Sequence, residues 1–381
     1  MSNYIWRHDL IPQYERYQEE INEAIKRVLR SGRYILGTEL QSFEEEFAEY
    51  IGCRYGVGVA SGTDALVLAL RAAGIQSGDE VITTTYAPTP TPAAIAMAGG
   101  RPVFIDVEEE TALMNPGLIE ENISPDTKFI IPVHLFGLPC NMAEINRIAQ
   151  RFHLTVIEDA AQAHGSLLDG EKVGSFGDLS CFSFYPTKNL GGYGDGGIVL
   201  TNRVDLYEKL KLLRNYGKKN DPFNSQILGV NSRLDELQAA ILRVKLPDLD
   251  PMNEAREVRV AMYRNGLKDL PLAFLKEWDG AKSNYHILTV ICPGHRDALM
   301  KFLESQGIQT NVYYPQPLDS MPAYKQYVRD DQKFPVAEQL SREAIALPLY
   351  PELKLETVHF VIDKIREFYA LRKNRVQSCP K

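Results

Sequence analysis

The chain has 381 residues and 44% hydrophobic content, enough to bury a sizeable core, and its length suggests two or three domain-sized units. A formal charge of −8 argues against a broad nucleic-acid surface but leaves room for a local cationic pocket. No apolar run approaches the roughly 18 residues that cross a bilayer, and Met1–His8 is no apolar leader, so a cytoplasmic protein is expected. The five cysteines, Cys53, Cys140, Cys181, Cys292 and Cys379, are widely spaced without a Cys-x-x-Cys pair. Neither a disulfide framework nor a metal site is expected from them.

Tyr14, Tyr17, Ile21, Ala24, Ile25 and Val28 recur at helical spacing and stop before Ser31-Gly32, which predicts an amphipathic helix over 12–30. A second helix is predicted over 39–51. Tyr55–Ala60 reads as a short strand, and Ser61-Gly62-Thr63-Asp64 then opens an apolar helix that ends at Gly74. Free amides at that helix start, beside the Ser61 and Thr63 hydroxyls, make a site for a phosphate dianion, although an ordinary N-cap has the same look. Strand-like segments follow at 80–85, 102–107, 128–135, 154–158, 179–185 and 196–201, most of them separated by helical stretches. This alternation predicts a mostly parallel sheet covered on both faces. Tyr86, at the end of one strand, is either a platform for a planar ring or a packing tyrosine.

Arg214–Gln226 is polar and reads as a long loop, after which a helix opens near Gly229 with Asn231 or Ser232 as its cap. Beyond Pro247 helices lengthen, with strands expected at 285–292 and 309–314 and a closing helix over 355–371. The last ten residues are expected to be loose. Two units are predicted, 1–249 and a smaller one over 250–381.

Ser183–Gly197 carries Lys188, with five glycines close behind it. An amine so placed suits a nucleophile with a lowered pKa, and the common use of such a lysine is a Schiff base with pyridoxal phosphate. Taken alone, it fits a glycine-rich turn as well. Leu154–Asp159 is a β-branched strand ending in acids, which puts Asp159 at the sheet edge where α/β proteins bind ligands. A carboxylate there would keep the cofactor's pyridine nitrogen protonated. A capping acid is the plain alternative, and the pairing of Asp159 with Lys188 favours the cofactor.

These segments together resemble the DegT-type sugar aminotransferases, pyridoxal-phosphate enzymes of the aspartate-aminotransferase fold. The markers are Ser61–Leu66, Glu158–Gly165, Ser183 with Lys188, Asn231–Ala240 and Gly307–Pro315. The resemblance implies an α/β, aspartate-aminotransferase-like fold, with a large domain whose mostly parallel sheet is covered by helices and a smaller C-terminal α+β domain. It implies that Lys188 holds the cofactor, that Asp159 meets its pyridine nitrogen, and that Gln162 lies near its ring hydroxyl. Ser61, Gly62, Thr63 and Ser183 would bind the phosphate, and Asn231 would reach the phosphate of the neighbouring subunit in a homodimer with shared active sites. Tyr185, Tyr313 and Tyr314 would contact the sugar, with Lys219 a further substrate contact. Two departures stand out: Pro88 occupies a position often aromatic in relatives, and the loop after Tyr216 is about a residue longer.

The implied reaction is a ping-pong transfer from glutamate to the keto group, 3-oxo by resemblance, of a nucleotide-linked 6-deoxyhexose, Lys188 moving the proton. A 4-oxo aminotransferase is the near alternative. A dehydratase of the family would carry histidine in place of Lys188. An enzyme acting on an amino acid alone, and a cofactor-binding regulator without turnover, are the remaining readings.

Overall fold

The computed structural model describes residues 4–219, 221 and 223–377. Two helices come first, α1 (Ile11–Ser31) and α2 (Thr38–Ile51). Proline in the first turn of α1 costs no hydrogen bond, Gly32 ends it in the left-handed region, and Tyr17, Ile21, Ala24 and Val28 form its buried stripe.

Then come β1 (Tyr55–Val59), α3 (Gly62–Ala73), β2 (Glu80–Thr84), α4 (Pro90–Met97), β3 (Arg101–Ile105), β4 (Thr127–Ile130), α5 (Met142–Phe152) and β5 (Thr155–Asp159). The short pair β6 (Leu167–Leu168) and β7 (Glu171–Lys172) leads to β8 (Leu179–Ser183), β9 (Gly197–Thr201) and α6 (Val204–Leu213). Seven of these strands form one sheet in the order β1-β9-β8-β5-β4-β2-β3, with β9 alone running against the rest. Strands β2 and β9 are buried along their whole length, as a sheet covered on both faces requires. Because β1, β8, β5, β4 and β2 point the same way, their carboxyl ends line one edge. That edge carries the segments from which the site is built.

Helix α7 (Glu236–Lys245) packs on α1 and α2. The chain continues through α8 (Leu249–Leu267), β10 (Ala273–Phe274), β11 (Ala281–Lys282), β12 (Leu288–Ile291), α9 (Arg296–Ser305), α10 (Pro335–Glu343), β13 (Ala344–Leu347) and α11 (Leu355–Gln377). Strands β10, β12 and β13 form an antiparallel sheet, and Val260, Tyr263, Val290, Leu303, Ile345 and Ile365 share a core there. Leu318, Tyr324 and Phe334 instead join Ile82, Phe104 and Ile130 in a core of the large sheet. The segment between, with Tyr313 and Tyr314, therefore crosses from one core to the other.

Three expectations need correction. The helix expected near Gly229 begins only at Glu236, because the Ser232 hydroxyl is taken up by Asp64 Oδ2 at 2.7 Å and by the Ala60 N–H at 3.1 Å instead of capping its own segment. The buried Glu236 carboxylate accepts from the N–H groups of Gly37, Glu39 and Leu40 at 2.8–3.0 Å, so α7 supplies the cap that α2 lacks. The strand expected at 309–314 is reduced to a single bridge, Asn311 to Ala346. Helix α11 runs on to Gln377 through residues expected to be loose, and 378–381 lie outside the described residues.

The loop expected after Arg214 is a narrow hairpin, laddered at Asn215–Asn231 and Lys218–Ser225. At its neck a Cβ on Gly217 would come 1.7 Å from the Ile227 carbonyl oxygen, and one on Gly229 would come 2.3 Å from the Gly217 nitrogen. Only glycine fits at either position.

Candidate active site

Asp159 ends β5 and is 2% exposed. Its Oδ2 accepts from the Thr91 hydroxyl at 2.7 Å and its Oδ1 from the Ala161 N–H at 3.2 Å. Burial pushes this carboxyl above the usual carboxylate range, and Thr91, Ala161, Lys188 and His134 pull it back. Lys188 follows β8 in a turn closed by its own N–H to the Tyr185 carbonyl at 2.8 Å. Desolvation brings its amine down to about 8 while Asp159 opposes the change. The residue as a whole keeps partial exposure. Lys188 and Asp159 feel each other's charge without an ion pair or hydrogen bond among the described residues. A planar ring carrying a basic nitrogen and an aldehyde could engage the carboxylate through the one and the amine through the other.

The lysine is braced from behind. Asn189 Nδ2 donates to Asn253 Oδ1 at 2.8 Å and to the Asn284 carbonyl at 3.0 Å. His286 donates through Nδ1 to Asn189 Oδ1 at 3.1 Å. Burial first, then Lys188 and neighbouring guanidinium groups, push His286 far below its ordinary value, so it is neutral. His164, fully buried against Phe182 and Phe184, is pushed down to about 3 by burial and by Lys188.

The cradle lies at the start of α3. Ser61 Oγ accepts from the Asp64 N–H at 3.1 Å, while the Gly62 and Thr63 N–H groups have no hydrogen-bond partner among the described residues. A Cβ on Gly62 would meet Ser183 Cβ at 2.6 Å, so the absent side chain is what lets the helix start approach Ser183. Two free amides with two hydroxyls nearby, at the positive end of a buried helix, form an anion site. A phosphate there, a carboxylate at Asp159 and an amine at Lys188 fit the three handles of pyridoxal phosphate.

Tyr86 has a different place from the stacking platform expected. It is 1% exposed, its hydroxyl donates to the Tyr313 carbonyl at 2.5 Å, and it accepts from the Tyr314 N–H at 3.1 Å. Its ring meets Tyr314 edge-on at 5.9 Å. No face is left for a planar ring, and Tyr86 instead pins the 313–314 segment to the sheet edge. Gln162 is also committed, accepting the Phe136 N–H at 2.7 Å and donating to the Tyr314 hydroxyl at 3.2 Å. Tyr314 is thereby brought beside the ring pocket.

Tyr185 stands next to Lys188 with 53% of its surface open. Lys219 and Asn231 are exposed, on the arm and at the neck of the hairpin, and their side chains bond to none of the other candidate residues of this chain. A cleft of about 550 Å³ elsewhere, lined by Glu44, Arg54 and Arg214, already has its Glu44–Arg214 ion pair made. The chemistry therefore selects the Lys188 edge. Sequence reasoning missed Thr91, Asn189, Asn284 and His286. Thr91 was hidden in a threonine- and proline-rich turn that in fact starts α4 against β5.

Comparison with known proteins identifies the family. The sequence profile of the DegT/DnrJ/EryC1/StrS aminotransferase family matches residues 15–366. The chain is 44% identical over 95% of its length to a pleiotropic regulatory protein of Geobacillus stearothermophilus, covering 97% of that protein. It is 41% identical to the dTDP-3-amino-3,4,6-trideoxy-alpha-D-glucose transaminase of Streptomyces venezuelae, over 94% of this chain and 95% of the other. The crystal structure of S. venezuelae DesV in complex with a ketimine intermediate superposes with a TM-score of 0.93 at 41% identity, covering 96% of this chain and 99% of that one. These matches bear out the expected α/β fold, and the chain belongs to the DegT/DnrJ/EryC1/StrS aminotransferase family.

Proposed function

We propose that this protein transfers an amino group from glutamate to the 3-oxo carbon of a nucleotide-linked 6-deoxyhexose, with pyridoxal phosphate as cofactor. The observation that carries the reading is the buried Asp159 carboxylate within electrostatic reach of the Lys188 amine, with the unpartnered amides at the start of α3 and Ser183 on the same sheet edge. The similarity to a dTDP-3-amino-sugar transaminase supports the 3-oxo position.

Pyridoxal phosphate, when bound, supplies an electron sink for the pair left on a carbon that loses its proton. Lys188 would hold that group through Nζ and, once released by the donor's amine, would take the proton from the donor's α-carbon at the same atom. With its pKa near 8, the amine is poised to exchange protons near neutrality. Asp159 holds a proton on the pyridine nitrogen, and Thr91 and the Ala161 N–H keep that carboxylate ionised and oriented. Gly62, Thr63, Ser61 and Ser183 bind the phosphate. Tyr185, Tyr313 and Tyr314 line the sugar side, with Gln162 fixing Tyr314. In the second half Lys188 returns a proton to the sugar carbon that accepts the amine.

The reading extends to a homodimer in which Asn231 and Lys219 serve the partner's site. It is supported by the exposure of Tyr185, 53%, and of Phe223 and Leu228, 95% and 89%, on the hairpin, since apolar side chains so open suit a covering subunit. It also keeps two units, 1–249 around the cofactor and 250–381 closing the substrate side. A cytoplasmic location rests on the substrate class, nucleotide-activated sugars. No helix among the described residues is long and apolar enough to cross a membrane.

The test is to incubate the purified protein with glutamate and a panel of dTDP- and UDP-linked 3-oxo and 4-oxo deoxysugars, and to identify the product by mass and NMR. A 4-amino product, or none, would refute the assignment. A regulator that holds the cofactor without turnover is the second reading, favoured by the name of the Geobacillus relative. Release of 2-oxoglutarate from glutamate separates the two.

A further inference from the structure

The segment before α1 is stitched to the crossing segment near the candidate site. Ile5 N–H donates to the Gly307 carbonyl at 2.8 Å, the Gln309 N–H donates to Ile5 at 2.9 Å, and the Arg7 N–H donates to Gln309 Oε1 at 3.0 Å. The Leu349 N–H holds the Arg7 carbonyl at 3.0 Å. These bonds fix where the Arg7 side chain points. Its guanidinium carbon lies 5.3 Å from the centre of the Tyr313 ring.

Among the described residues that guanidinium donates no hydrogen bond and meets no carboxylate. Behind it Arg256 is 1% exposed, with long bonds of 3.4 and 3.3 Å to the carbonyls of Tyr285 and Leu349 and a bare Nε. Glu352 is the acid that Arg256 feels, and it stands outside ion-pair contact. His8 and His286 complete the surroundings, and both are held neutral by burial and by these guanidinium groups. Two cations drawn out of water with no acid in contact favour an incoming anion strongly. A forked guanidinium backed by an aromatic face fits a carboxylate in particular.

The place of this cluster indicates which anion it serves. His286 bonds to Asn189, the residue after Lys188, and its imidazole feels both Lys188 and Arg7. Tyr313 adjoins Tyr314, which reaches Gln162 at the ring pocket. The α-carboxylate of an amino donor sits one bond from the carbon that Lys188 deprotonates, so its receptor must lie beside Lys188. The first phosphorus of a nucleotide sugar is separated from the reacting C3 by C2, C1 and the anomeric oxygen, so the diphosphate lies farther from the proton-transfer centre than the donor's α-carboxylate does. We propose that Arg7, with Arg256 buried behind it, receives the carboxylate of the amino donor against the Tyr313 ring. The proposal rests on the aminotransferase reading above and names a residue of this chain that seats the donor.

The experiment uses the holoenzyme with Arg7→Met and Arg7→Lys. Binding of glutarate, a dicarboxylate without an amine, is measured by calorimetry, and KM is measured separately for glutamate and for the nucleotide sugar. Arg7→Met is expected to weaken glutarate binding and raise the glutamate KM by roughly ten- to a hundred-fold, leaving the sugar KM within about twofold. Arg7→Lys is expected to recover part of the loss, as a point charge without the fork. Unchanged glutarate affinity in Arg7→Met overturns the proposal, as does a rise in the sugar KM with glutarate binding intact, which would give Arg7 to the phosphates. Failure of the aminotransferase reading shows separately, as wild-type protein that binds glutarate but releases no 2-oxoglutarate from glutamate.

Discussion

Thr91→Val tests the site at a residue whose own chemistry takes no part in the transfer. The Thr91 hydroxyl donates to a buried carboxylate oxygen of Asp159 at 2.7 Å, a charge-assisted bond worth about 1.5–3 kcal/mol. Its loss makes the ionised form less favourable and raises the Asp159 pKa further. That carboxyl already stands above its ordinary range through burial, so the added rise brings its protonation toward the working pH. A protonated carboxyl cannot hold the proton on the pyridine nitrogen. The single-turnover rate with glutamate, read from decay of the cofactor's near-visible band, is therefore expected to fall about ten- to a hundred-fold at neutral pH. It should recover as pH rises and Asp159 ionises again. Thr91→Ser, which keeps the hydroxyl, should retain most of the rate. A Thr91→Val rate and pH profile matching wild type would refute the reasoning.

Borohydride reduction of the holoenzyme is expected to fix cofactor on Lys188, and a peptide map placing the adduct on another lysine would remove it from the mechanism. Uptake of pyridoxal phosphate by cofactor-free protein should accelerate as pH rises through about 8, because the neutral amine is the attacking form; a flat profile across neutral and alkaline pH contradicts the lowered pKa. Glu236→Gln weakens three bonds to the start of α2 and should destabilise the fold by about 1–3 kcal/mol, seen as a lower urea midpoint; an unmoved midpoint argues against the cap. Mixing inactive Lys188→Ala with inactive Asn231→Ala chains should restore activity, since one site of each heterodimer escapes both changes. If subunits exchange and the mixture stays inactive, Asn231 acts within its own chain.

What the sequence made legible is what depends on neighbours along the chain. A β-branched run ending in acids placed Asp159 at a strand end, and the Ser61-Gly62-Thr63 turn before an apolar run placed the cradle. What it hid depends on partners far away. Ser232 has a capping side chain, but its hydroxyl is claimed by Asp64 and Ala60, so α7 starts later than its sequence invites. Residues 309–314 read as a strand, yet the Tyr86 hydroxyl takes both the Tyr313 carbonyl and the Tyr314 N–H that a ladder would need. Thr91 could not be matched to Asp159 before the fold brought the first turn of α4 within a hydrogen bond of the end of β5.

The hairpin neck has a consequence for how such an enzyme diversifies. Gly217 and Gly229 clamp the two arms so tightly that the neck tolerates no side chain at either position, and Asn231 and Ser232 follow directly. The outer turn carries no such constraint, since Asp221, Phe223 and Asn224 are open to solvent. Residues can be gained or lost there without shifting Ser232 or the start of α3 that it touches. Length and chemistry at the tip can thus vary while the neck stays fixed, leaving the catalytic edge undisturbed.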